Sequence, residues 1–313
     1  MQNFLLSFNV VFPIAIMMAL GYFIKKIKLV NEVTVKQSNN LVFKVLLPIM
    51  LFKNVYETEI SDVFDARLAL FTTVSIIAAI LLIFLLVSIF VKDNSRRGVL
   101  IQAMFRSNFV IFGIPITEAL CGKEATGIAS VLIAIVVPLF NFAAVITLEV
   151  FNGSKPDFLK ITKGIVKNPL IVASLSALLI NFIGIDFPSV IETSMSNISS
   201  IATPFALIIL GASINFGTLS KNALALTVGL STKLIILPAV ILAIAIFGFG
   251  FRGAELSILL AVFASPTAVS SFTMAQQMGG DGDLACQLVM FSTVASVLTM
   301  FLWIFTLVQF GFI

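Results

Sequence analysis

Two short stretches, half a chain apart, gather the residue types that bind ligands inside a membrane. The first is FRSNFVIFGIP, Phe105 to Pro115, in which Arg106, Ser107 and Asn108 precede Gly113 and Pro115. The second is FASPTAVSSFTMAQQ, Phe263 to Gln277, carrying Ser265, Pro266, Thr267, Ser270, Ser271, Thr273, Gln276 and Gln277. Both lie in apolar segments long enough to cross a bilayer. Proline removes a backbone donor and clashes with the preceding turn, so the helix is expected to open, between about Ser107 and Pro115 in one and around Pro266 in the other. Open backbone at membrane depth persists only where it is buried in protein or lines a cavity. One such break per half of the chain is the pattern of a secondary transporter's binding site. Asn108 either offers its amide to a ligand or is satisfied by a neighbouring helix. The hydroxyls from Ser265 to Ser271 either contact substrate or a cation, or bond back to their own backbone. Asn141, shortly after Pro138, adds a polar group to another apolar segment.

Three cations, Lys44, Arg106 and Lys233, fall within apolar segments. At ~1.5 Å per residue, Lys233 lies roughly 15–18 Å from the start of its segment, near the middle of a ~30 Å hydrocarbon core, with Arg106 about 12 Å and Lys44 about 10 Å in. No acid reaches comparable depth, since Glu118, Glu149 and Glu255 lie toward segment ends. A charge inside the membrane is costly and marks function or pairing, so cations without an internal acid favour an anionic ligand. The alternatives are snorkelling for Lys44 and, for Lys233, bonding to carbonyls freed by Pro238 or by a break. The chain has no histidine and two cysteines, Cys121 and Cys286, near opposite faces of the bundle, with no metal-ligand spacing. Neither a metal, a cofactor nor a catalytic constellation is expected, and the chain does not read as an enzyme. The Gly279–Asp283 run GGDGD reads as a turn, lacking the helix context of a phosphate cradle. Glu57, Glu59, Asp62 and Asp65 read as a solvated loop.

The elements that must position these residues follow from composition. With 59% hydrophobic and 11% charged residues and a mean hydropathy of +1.14 over 313 residues, the chain is polytopic in a membrane. Ten spans are predicted: Phe4–Ile24, Gln37–Val55, Arg67–Val91, Gly98–Leu120, Ala125–Val150, Lys167–Ile185, Asn197–Phe216, Lys221–Phe247, Gly253–Met278 and Leu284–Phe312. Twelve basic loop residues fall on one side and four on the other, which places both termini outside the cell membrane. The first span has no basic flank before it and does not read as a cleaved signal. These loop charges also account for a pI near 9.1 without a nucleic-acid partner. A Gly-, Pro- and Lys-rich stretch splits the spans five and five, giving repeats at 1–151 and 167–313 joined by a cytoplasmic linker at 152–166. An odd number of spans per half inverts the second repeat relative to the first. The half-helices after the two breaks then point their positive N-terminal ends at a common centre.

The strings VFPIAIMMALGYFIKK, NNLVFKVLLPIMLF, QAMFRSNFVIFGIPI, ILGASI, KLIILP and ASPTAVSSFTMAQQMGGD together resemble the auxin efflux carrier family of transporters in its short bacterial form. The resemblance runs nearly end to end. It implies an all-α membrane protein of ten helices in inverted repeats, with broken spans four and nine crossing. It also implies a scaffold of spans one, two, six and seven, past which spans three to five and eight to ten move as an elevator. Homodimers and a cargo of small organic acids such as malate or malonate are implied in the same way. Ser270 departs from the asparagine common in the family's PTAVNSF string, and FTMAQQ lacks the acid found in the distantly related bile-acid sodium symporters. Proton, sodium or exchange coupling all stay open. A membrane receptor binding a carboxylate without moving it is the alternative reading.

Overall fold

A computed structural model describes residues 2–57, 65–152 and 158–313; Glu59 and Asp62 of the acidic loop lie outside these. The described residues form helices and no strand. In chain order they are α1 (Gln2–Lys26), α2 (Glu32–Leu41), α3 (Leu47–Tyr56), α4 (Ala66–Phe90), α5 (Asn94–Phe105), α6 (Phe109–Cys121), α7 (Lys123–Val150) and α8 (Phe158–Lys167). There follow α9 (Pro169–Ile183), α10 (Ser189–Ala212), α11 (Leu219–Ser231), α12 (Leu237–Ala243), α13 (Gly253–Ala264), α14 (Ser270–Gln277) and α15 (Gly282–Gln309). Starts are set by short polar side chains that take up orphan amides. Asn31, Asp65, Asp93, Asn168 and Asp281 each accept from an amide in the first turn of the helix that follows, the last of them ending the GGDGD turn.

Five stretches are long and apolar enough to cross a membrane among the described residues: Ala66–Phe90, Val131–Val150, Ser189–Ala212, Phe216–Gly248 and Gly282–Gln309. A sixth is formed if Asn94–Phe112 and Pro115–Cys121, bent by 60°, act as one span. Of the remaining expected spans the first forms the continuous α1, and the others are shorter or subdivided. The second becomes α2 and α3 around a π turn, Val42–Leu46, and the ninth becomes α13 and α14. The seventh starts at Ser189, after Pro188, well before the expected Asn197; Glu192, Ser194 and Ser196 in its first turns lower the local hydropathy and mask that start. The expected linker at 152–166 contains most of α8, whose sequence FLKITKGIVK repeats lysine at helical rather than loop spacing.

Proline explains the π turn at Val42–Leu46 and a second at Thr232–Ile236. Pro48 and Pro238 have no N–H to return to the carbonyl four residues back, so the residue before each reaches five back instead. Leu47 N bonds Val42 O, and Leu237 N bonds Thr232 O. The carbonyl that Pro238 leaves free, that of Leu234, accepts from Trp303 Nε1 at 2.9 Å. Lys44 sits exposed in the first of these turns.

Helix α4 is apolar all round, with Leu68, Ile76 and Ile83 buried and Leu70, Leu81, Ile89 and Phe90 mostly exposed, as expected of a helix facing lipid. The centre of the molecule is built from the segments that break. Every residue from Gly98 to Phe105 in α5 and from Leu256 to Ala264 in α13 is buried. Irregular backbone at the ends of these helices is therefore enclosed by protein, the condition under which a membrane tolerates it.

Candidate functional site

The two breaks meet. Between α5 and α6 the helix opens at Arg106–Asn108, and between α13 and α14 at Ser265–Val269. Asn108 N donates to Pro266 O at 2.8 Å, so one break caps the other. Thr267 Oγ1 donates to Ala103 O at 2.9 Å, and Gln102 Nε2 to Ser271 O at 3.0 Å. The last carbonyls of a helix have no partner of their own. Thr267 meets this need for α5. Lys233 meets it for α13, its Nζ donating to Phe263 O at 3.2 Å.

The first break loses its helix at the polar end of the expected stretch. Helix resumes at Phe109, and the chain then turns by 60° between Phe112 and Pro115, so both ends of the expected stretch depart from a straight helix. Gly113 also falls within α6, its packing outside the description. The determinant is the run Arg106-Ser107-Asn108 and its contacts with the other break, which a local reading of proline could not supply.

A cavity of about 70 Å³ lies against the crossing, lined by Arg106, Ser107, Asn108 and the first turn of α6, by Asn141 of α7, by Ala268 and Ser270, and by Met50 and Asn54 of α3 and Thr203 of α10. Arg106 is 3% exposed, and its Nη2 donates to Asn141 Oδ1, with Nη1 directed at Met274 Sδ. No carboxylate pairs with it among the described residues, whose ion pairs include Lys25–Glu32, Lys53–Glu57 and Arg96–Asp281. Three further buried groups around Arg106 have no hydrogen-bond partner: Ser107 Oγ, Asn108 Nδ2 and Asn141 Nδ2. The α6 N-terminus adds its amides, since Asn108 does not cap it with its side chain. The arrangement is a guanidinium and several donors, buried and facing room for a small acceptor-rich group.

Of the residues singled out from sequence, Arg106, Ser107, Asn108, Asn141 and Ser270 line this cavity, and Pro266, Thr267 and Ser271 form the crossing behind it. Lys233 is 1% exposed and stands away from the cavity, against the end of α13. Met50, Asn54 and Thr203 were not foreseen. Asn54 sits beside a charged residue at a span end and Thr203 beside Pro204, so each has a local explanation that hides its shared destination.

The crossing makes a stability test available. Thr267→Val keeps the shape but leaves Ala103 O buried without its side-chain donor, and is expected to lower stability by ~1–3 kcal/mol while Thr267→Ser retains it. Thermal unfolding in detergent checks this; equal midpoints for the valine and serine variants would show that the strut carries no weight.

The profile of a family described as "Membrane transport protein" matches residues 6–304. A protein of Methanothermobacter thermautotrophicus described as an "Uncharacterized transporter" is 24% identical over 303 residues, covering 96% of this chain and 98% of its own length. One of Methanocaldococcus jannaschii with the same description is 24% identical over 309 residues, with coverage of 96% and 98%. An all-helical chain with several membrane-crossing helices, matched along nearly its whole length, belongs to this auxin-efflux-carrier-like family of membrane transport proteins.

Proposed function

We propose that the chain is a secondary active transporter of a small organic anion, a mono- or dicarboxylate such as malate or malonate, bound where the two broken helices cross and moved by elevator-type alternating access. The observation that carries this reading is the buried Arg106 without an acid, ringed by the unpartnered donors of Ser107, Asn108 and Asn141. A carboxylate satisfies a planar guanidinium and several donors at once. The cavity's size supports a small cargo, being far below the ~300–1,000 Å³ of drug-sized sites.

The frame we propose is ten spans in two inverted repeats, 1–151 and 167–313, with 152–166 between them. Spans one, two, six and seven form a scaffold and the remaining six a moving domain. The make-up of the cavity wall supports this division: Met50, Asn54 and Thr203 belong to the scaffold spans, and Arg106 to Asn108, Asn141 and Ser270 to the others. Sliding one set past the other would expose the site to either side. Family likeness supports a homodimer, and the loop charges support a cell-membrane protein with both termini outside. Since the described cavity wall contains no acid, a coupling proton would travel on the cargo; sodium held by carbonyls is the other option.

Counterflow in liposomes tests the reading. Protein loaded with unlabelled malate or malonate and given labelled acid, with no ion gradient, is expected to show saturable exchange, competed by a subset of carboxylates. Saturable binding without flux would instead support a receptor.

A further inference from the structure

A second, larger cavity of about 660 Å³ opens on the outside of the bundle between α4, α5 and α11. Its walls are apolar, with Leu86, Phe90, Leu100, Met104, Leu224 and Val228 among them, and its mouth carries Lys92, Arg96, Lys221 and the acid Asp93, with Asp281 paired to Arg96 beside it. We infer that this groove binds one anionic glycerophospholipid, with an acyl chain along the apolar walls and the phosphate at Lys92 and Lys221.

Three features point to that occupant. The first is length. From Asp93 to Met104 on α5, and from Lys221 to Thr232 on α11, the lining runs eleven residues, about 16 Å at ~1.5 Å per residue. That is about half of a ~30 Å hydrocarbon core, the depth of one leaflet. The second is polarity: all the charges sit where α4 ends and α5 and α11 begin, and the opposite end of the groove is uncharged. The third is that the charge is available. Asp93 is engaged in accepting from Ser95 N and Oγ, and Arg96 donates to Asn222 Oδ1 at 2.9 Å and pairs with Asp281 at 3.8 Å. Lys92 and Lys221 are exposed and form no ion pair among the described residues. Basic pockets between membrane helices at the headgroup level recognise acidic lipid headgroups in this way. The α5 wall of the groove reaches Met104, two residues before Arg106, so its occupant would sit against the helix that leads into the break. The inference itself does not depend on the cargo.

Native mass spectrometry of the full chain, with phosphatidylglycerol and phosphatidylcholine of identical acyl chains, tests it. One phosphatidylglycerol per protomer is expected to be retained in preference to phosphatidylcholine. The double variant Lys92→Gln/Lys221→Gln should weaken that binding by about 30-fold, the value for two cations at a membrane surface. Lys26→Gln/Lys36→Gln, the same charge change outside the groove, should leave it unaltered. Equal loss in both double variants would mean general surface attraction, and equal retention of the two lipids would mean no headgroup recognition; either overturns the inference. Full competition by millimolar glycerol phosphate would also overturn it, by showing a phosphate site that needs no acyl chain.

Discussion

Arg106→Met is expected to abolish carboxylate counterflow, by at least about 100-fold, while leaving the protein as stable as the parent or more so. The two halves of this result have separate causes. A carboxylate bonded to a buried guanidinium is held by charge-assisted bonds worth ~1.5–3 kcal/mol each, and losing two of them exceeds a hundredfold in affinity. The guanidinium itself sits 3% exposed with no acid among the described residues to pair with it. Burying an unpaired charge is costly, so replacing it with an apolar chain of similar length relieves more than the lost bond to Asn141 Oδ1 supplies. Arg106→Lys keeps the charge but not the planar fork, and should retain exchange with an apparent affinity about tenfold weaker. The discriminating readout is ligand-induced stabilisation: malonate should raise the unfolding midpoint of the parent and leave that of Arg106→Met unmoved. Full exchange by Arg106→Met would remove Arg106 from the site. Collapse of the folded protein, with no survivors to assay, would make it a structural residue.

How much of this site could be read beforehand depends on the range of the interactions that build it. The breaks were visible because proline and amide residues act locally, and the second opens around Pro266 as its sequence requires. The first loses its helix at Arg106–Asn108, where Asn108 N bonds Pro266 O, a partner from the other half of the chain, and it bends again just before Pro115 as its sequence suggests. The depth of Lys233 followed from counting residues, and its bond to Phe263 O is the expected alternative of a carbonyl freed by a break; which helix supplies that carbonyl was not legible. Asn54 and Thr203 reach the cavity only through the packing of α3 and α10 against the crossing. The start of α10 at Ser189 was obscured because hydropathy averages polar residues out of a span even where helix continues beyond the apolar core.

That packing rests on a contact whose disruption should have the largest effect on folding. At Gly211 an added Cβ would lie 2.0 Å from Met18 O and 2.7 Å from Met18 C, and at Gly21 one would lie 1.9 Å from Ile208 O. Helices α1 and α10 thus approach backbone to backbone through two glycines, one from each, the geometry that small residues permit between membrane helices. Helix propensity alone predicts that Gly211→Ala stabilises by ~1 kcal/mol. The obstructing atoms belong to another helix's main chain and cannot rotate aside, so the helices must part by more than an ångström. Overpacking of this kind costs ~1–3 kcal/mol and occasionally more, and here it undoes a whole interface, so the net sign is destabilising. Gly98→Ala is the matched comparison. Its Cβ would meet Leu148 Cδ2 at 3.1 Å, the end of a side chain that yields by a few tenths of an ångström, and propensity should then leave it neutral or slightly more stable. Thermal unfolding of the two variants in detergent should place Gly211→Ala well below the parent and Gly98→Ala at or above it. Because α10 also carries Thr203 to the cavity wall, Gly211→Ala protein that survives should exchange anions more slowly than Gly98→Ala. The reverse order of midpoints would mean that α1 and α10 do not meet at these glycines, and the placement of Thr203 beside Arg106 would fall with that contact.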